Sequence, residues 1–228
     1  MNASSTEFQI NSHTSDSQEK PAITYLSDGG FVVVWKSRSQ DGDTWGIYGQ
    51  RYNSLGNKEG TEFQVNSHTA NEQIDASVTG LKGGGFVVTW VSPQEGSHNI
   101  YSQQFDGAGG AVNKEFRINT DINSNQIGSC VIGLNEGGFL VVWESVGQDG
   151  YGRGIYAQRY HENASTLGSQ FQVNTETSGD QRDPSLTELS NGDLVFIWTS
   201  NTQGNNDIHG QRYDNMGNVA DAEILINT

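Results

Sequence analysis

The chain has 228 residues and a mass of 24.8 kDa, long enough to bury roughly 70% of its unfolded surface around a self-sufficient core. Its 27 acidic residues face 12 basic ones, and the resulting formal charge of −15 repels nucleic acid and anionic membrane surfaces while leaving cationic partners open. The single cysteine, Cys130, excludes an internal disulfide, and no apolar run approaches the ~20 residues of a membrane-spanning helix, so no membrane insertion is expected.

Residues 1–6 are polar, lack a secretory signal and read as a flexible start. Phe8-Gln9-Ile10-Asn11 follows, and this element returns at Phe63-Gln64-Val65-Asn66, Phe116-Arg117-Ile118-Asn119, Phe171-Gln172-Val173-Asn174 and Ile224-Leu225-Ile226-Asn227. A tryptophan (Trp35, Trp90, Trp143, Trp198) stands 27 residues after each of the first four, and an isoleucine (Ile47, Ile100, Ile155, Ile208) stands 16 residues before each of the last four. The chain is therefore one unit written four times, over 7–62, 63–115, 116–170 and 171–223, with a closing strand at 224–228. All length variation falls between the tryptophan and the isoleucine, where the spacing is 12, 10, 12 and 10 residues.

Each unit reads as four short strands. The first is Ala22 to Leu26 and its equivalents, and the second is Phe31 to Lys36 and its equivalents. A glycine-bearing hairpin such as Ser27-Asp28-Gly29-Gly30 joins them, the glycine supplying positive φ. The third runs from Ile47 to Tyr52, and the Phe-Gln-Val-Asn element is the fourth. Phe31-Val32-Val33-Val34-Trp35 is apolar on both faces, which an antiparallel sheet tolerates only when it is covered on both sides. Face-to-face stacking of four such sheets around an axis predicts an all-β fold, a β-propeller of four four-stranded antiparallel blades; half of a dimeric eight-bladed propeller is the alternative. Five copies of the fourth strand for four sets of the others leave one surplus. It either straps the ring shut from the N-terminus or pairs with a second chain, so self-association through this edge is an expected partner mode.

Polar positions that recur in every unit read as framework. Gln18, Gln73, Gln126 and Gln181 precede the first strand, while Gln50, Gln103, Gln158 and Gln211 lie in the third; both sets are expected to satisfy backbone groups between blades. Function is instead expected where the copies differ, on the rim shared by the loops into the first strand and between the second and third. The long loops of units one and three share Gln-Asp-Gly and supply the candidate ligand-binding residues Asp41, Asp43, Trp45, Asp149, Tyr151 and Arg153. Aromatic rings beside acids and amides suit a glycan, the expected partner. No cofactor is required by this reading; calcium is the cation that Asp41, Asp43 and Asp149 would suit. His13, His68 and His98 share no metal-ligand spacing, and no nucleophile elbow, phosphate loop or zinc-protease motif occurs.

The strings Phe171 to Thr175, Gly179 to Gln181, Gly30 to Trp35, Gln40 to Gly42 and Ile47 to Tyr52 together resemble repeats of very large secreted bacterial proteins of the adhesin and hemolysin-type calcium-binding class. The resemblance spans 7–228 and implies an extracellular or cell-surface setting. Taken with the absent catalytic motifs, it leads to the expectation of a non-catalytic, lectin-like recognition module. A structural spacer of an adhesin is the alternative, and a glycan-processing hydrolase ranks behind both.

Overall fold

The computed structural model describes residues 7–202 and 204–227; the start expected to be flexible, 1–6, lies outside them. Sixteen strands form four antiparallel sheets, each in simple up-and-down order. Blade 1 holds β1 (Gln18–Tyr25), β2 (Phe31–Arg38), β3 (Trp45–Tyr52) and β4 (Lys58–Gln64). Blade 2 holds β5 (Ile74–Gly80), β6 (Phe86–Glu95), β7 (Ser97–Phe105) and β8 (Ala111–Arg117). In blade 3 they are β9 (Gln126–Gly133), β10 (Phe139–Val146), β11 (Arg153–Tyr160) and β12 (Thr166–Gln172). Blade 4 has β13 (Gln181–Glu188), β14 (Leu194–Ser200), β15 (Asp207–Tyr213) and the two-residue β16 (Ile224–Leu225). This is the β-propeller architecture that the repeat predicts.

The opening strands β1, β5, β9 and β13 pack on one another in that order, which places them innermost, around the axis. The fit there is close. A Cβ on Gly80 would stand 2.4 Å from the carbonyl oxygen of Tyr25, and one on Gly133 would stand 2.3 Å from that of Gly80, so glycine is required where blades 1 and 2 and blades 2 and 3 cross. Between blades the apolar second strands form three separate cores, each drawing one face from the preceding blade and one from the next. Trp90, Trp143 and Trp198 sit in these cores at 0%, 0% and 1% exposure. No comparable packing joins β13 to β1 among the described residues, so the four blades form an arc with two free ends.

The surplus strand does not strap the ring shut. Phe8 and Ile10 lie against Val33, Trp35, Tyr48 and Tyr52 of blade 1, in the same way that Phe63 and Val65 of blade 1 lie against blade 2. The Tyr52 hydroxyl donates to the Ile10 carbonyl at 3.0 Å, as Tyr160 does to Ile118 and Tyr213 to Val173. Phe8–Asn11 thus occupies the place of a fourth strand belonging to a preceding blade.

The recurrent amides divide. Gln18, Gln73 and Gln181 accept from the Asn11, Asn66 and Asn174 side chains and donate to carbonyls of the loop just before them, tying each repeat start to the next blade. Gln50, Gln103 and Gln158 instead donate to carbonyls of their own third and fourth strands beside the bulge in that pairing, and Gln211 donates to the Arg212 carbonyl of its own third strand.

Glu62 pins the N-terminal strand by accepting from the Ser12 N–H at 2.7 Å, the Ser12 hydroxyl at 2.8 Å and Gln40 at 2.6 Å. Burial works against its charge, but the hydrogen bonds from Ser12, Gln40 and His13 outweigh that and hold its carboxyl below the ordinary 4.5. A depressed pKa contributes stability that is present above the unfolded value and lost as pH falls through the folded one. Acidification below about pH 4 is therefore expected to loosen residues 8–13 ahead of the blades, read as a fall in the hydrogen-exchange protection factor of the Ser12 amide. Unchanged protection at about pH 3 would show that Glu62 does not hold this strand.

Candidate functional site

All four innermost strands begin at the same end of the axis, and each begins on a bulge. Lys20, Asp75, Gly128 and Asp183 occupy equivalent places with φ of 50°, 54°, 61° and 54°, and the register with the second strand slips there in every blade. A left-handed backbone costs a residue other than glycine on the order of 1 kcal/mol, Asp and Asn bearing it best. Glycine is nevertheless used in only one of the four. The repeat, strict elsewhere, breaks at this ring: the bulge carries a base, an acid, no side chain and an acid. The second-strand position alongside reads Lys36, Val91, Glu144 and Thr199.

Glu144 organises one side of this mouth. It is 4% exposed, its Oε1 accepts the Asp183 N–H at 2.9 Å, and its Oε2 accepts Nη1 of Arg153 at 2.8 Å. A carboxylate that deep is tolerable only with such partners. Gly128 leaves it room, since a Cβ there would come within 3.0 Å of Oε1. On the other side Lys20 Nζ meets Asp75 Oδ1 at 2.8 Å, and the hydrogen bond to Asp75 pushes the Lys20 ammonium pKa up. Lys36 stands 3.2 Å from Glu19 and 4.1 Å from the centre of the Trp45 ring. The axial mouth thus carries Glu144 with Asp183 on one side and Lys20 with Asp75 on the other, on strands rather than on loops.

The rim residues have other partners. Asp41 Oδ1 accepts the Asp43 N–H at 3.2 Å and Asp149 Oδ1 accepts the Tyr151 N–H at 3.1 Å, the turn geometry of an aspartate two residues before its donor. Asp43 reaches across to the Asn71 N–H of the next blade at 2.9 Å. Burial, then Asp41 in one case and Asp149 in the other, pushes the hydroxyls of Tyr48 and Tyr156 up to about 12. Trp45 is half-buried beneath Lys36, whereas Tyr151 is 64% exposed. Of the six residues singled out from the sequence, Arg153 alone bonds to a carboxylate of the mouth. Among the described residues no three acidic, histidine or cysteine side chains converge as a metal-binding group. A cleft of about 1050 Å³ lies elsewhere, along the outer edge of blade 2 between Glu95, Lys114 and Arg117.

No protein-family model and no curated protein matches the chain. Solved structures do. An endo-arabinase from Bacteroides thetaiotaomicron aligns over 97% of this chain and 85% of its own with a TM-score of 0.56 at 13% identity. An α-L-arabinanase of Penicillium chrysogenum, complexed with arabinobiose, aligns over 92% and 66% with a TM-score of 0.60 at 15% identity. An α-L-arabinofuranosidase of Fusarium graminearum, bound to an iminosugar inhibitor, aligns over 94% and 68% with a TM-score of 0.61 at 12% identity. At these identities the likeness establishes the propeller fold.

These matches correct two expectations. The kinship expected with adhesin and hemolysin-type calcium-binding repeats is replaced by a likeness to glycoside hydrolase propellers. The non-catalytic, lectin-like reading and its exclusion of an enzyme lose their support with it, because the neighbours just named carry glycosidase names and not those of lectins or adhesins. The physical reason is local. Framework residues dominate the repeat signature, while the residues that differ between copies at the axis occupy single positions at or beside strand ends, with no change in loop length to mark them.

Proposed function

We propose that the protein is a glycan-processing enzyme that hydrolyses glycosidic bonds at the axial mouth, with Asp75 and Asp183 as the reacting carboxylates. The observation that carries this reading is the break in the repeat. A framework that holds its tryptophans, glutamines and turn glycines in register over four copies places acids at two of four strained axial positions and a buried Glu144 in one blade only. Hydrolysis of a glycoside needs one carboxyl to protonate the leaving oxygen and a second to activate water or attack the anomeric carbon. Asp75, held by the Lys20 cation, takes the anionic role. Asp183, whose backbone is fixed by Glu144, takes the proton-donor role. The strand of Gly128 stands between theirs, and the room its missing side chain leaves is taken by the Glu144 carboxylate.

The named activities of the structural neighbours support arabinose- or xylose-containing polysaccharide as the substrate class. Such polymers are met outside the cell or at its surface, the location proposed here. The exposed Tyr151 and the half-buried Trp45 would stack on sugars flanking the scissile bond, with Asp41, Asp43 and Asp149 holding their loops and Arg153 linking rim to mouth. The test is release of sugars from arabinan, arabinoxylan and xylan by the purified protein, followed by chromatography. Release above a buffer control is expected; intact polymers after prolonged incubation with all three would overturn the reading.

A further inference from the structure

The three junctions between blades are built alike. On the trailing side Leu26, Leu81 and Leu134 end the innermost strands, and Ile47, Ile100 and Ile155 lie in the third; all six are at most 5% exposed against the next blade. Blade 4 carries the same residues with nothing on them: Leu189 is 37% exposed, Ile208 37% and Ile197 38%. On the leading side Val78, Val131 and Leu186 are at most 8% exposed against the blade before, yet their equivalent Ile23 is 65% exposed. One chain therefore displays both halves of a contact that it makes three times internally.

We infer that the trailing face of blade 4 binds the leading face of blade 1 in a second copy of this chain, head to tail. Two observations favour that occupant. The contact continues an interface already formed by the same residue types. Backbone pairing is also left over. The Asn66, Asn119, Asn174 and Asn227 side chains accept the N–H of Ile47, Ile100, Ile155 and Ile208, but among the described residues Asn11 has no such donor. The third strand of blade 4 could supply it, with Phe8–Asn11 of the second copy replacing β16, which is two residues long and more than half exposed. Phe8 would bring the ring that Ile224 lacks, in the setting where Phe63 and Phe171 pack on the next blade. The inference rests on packing and stands apart from the glycan reading.

Such a contact is heterologous: it closes when the rotation permits, as two copies forming one ring of eight blades, and otherwise propagates. Light scattering on the full chain at about 10–100 µM is expected to give twice 24.8 kDa or a higher multiple. Ile23→Asp and Ile197→Asp, each made at an exposed position and checked for unchanged circular dichroism, should each run as monomers or smaller assemblies. Their equimolar mixture should regain a dimer, because each retains the face that the other has lost. A monomeric wild type across this range, association that survives both substitutions, or a mixture that stays monomeric would overturn the inference.

Discussion

Asp183→Asn is expected to lower kcat on an arabinan or xylan substrate by about 1,000-fold, the scale of losing a positioned acid or base, and Asp75→Asn to do the same. Asparagine is the informative replacement because it tolerates the left-handed backbone that both positions require, so the change removes ionisation and leaves the bulge intact. The Asp183 N–H that Glu144 accepts is a backbone group and survives the substitution. Asp75 loses an ion pair with a largely exposed Lys20, which contributes little to folding. The melting temperature should therefore hardly move while turnover collapses, with KM changing much less than kcat. Asp41→Asn supplies the contrast: its carboxylate serves a turn, and kcat should stay within a few-fold of wild type. Steady-state kinetics with thermal melts on the three variants decide the matter. Asp75→Asn and Asp183→Asn enzymes that keep wild-type kcat would move the chemistry away from the axis.

The fold was legible because the signals that specify it recur. Four tryptophans at one spacing, four hairpins with glycine in the turn and second strands apolar on both faces leave stacked antiparallel sheets as the consistent arrangement. The joining of the ends was not legible, because Phe8–Asn11 and Ile224–Asn227 are both copies of the fourth-strand element and only packing distinguishes a strap from a leading strand. The candidate site hid for a different reason. Lys20, Asp75, Gly128 and Asp183 stand just ahead of the segments legible as first strands, and the bulge with its left-handed φ is what sets them at equivalent places at the axial end. Aligning the four copies column by column would have exposed the mixed column at this position and the lone glutamate at 144. The long loops drew attention because their length varies, yet their aspartates mostly cap their own turns or reach a neighbouring loop.

Trp143→Ala is expected to destabilise the protein by about 3–5 kcal/mol, the range for emptying a fully buried indole site. The residue is 0% exposed and belongs to blade 3, but its core is shared with blade 2 through Leu81, Val87, Ile100 and Ile118, so the vacancy loosens a junction and not one sheet alone. Its Nε1 donates to Oε1 of Gln126 at 2.8 Å, and Gln126 is itself fully buried. Removing the indole leaves that oxygen without its partner, a further cost on the order of 1–3 kcal/mol that overlaps with the cavity term and pushes the total toward the upper end. Trp35 occupies the same place in blade 1, where the facing side holds only the strand from Phe8 to Asn11. Its smaller cluster of Val33, Tyr48, Ile10 and Phe31 can relax outward, so Trp35→Ala should cost less than Trp143→Ala. Trp45→Ala should cost least, about 1 kcal/mol or below, because it forfeits a half-buried ring and the contact with Lys36. Urea titration of the three variants gives the order through their midpoints at a common slope. If Trp45→Ala proved the most damaging, the assignment of Trp143 to the shared core of two blades would be wrong.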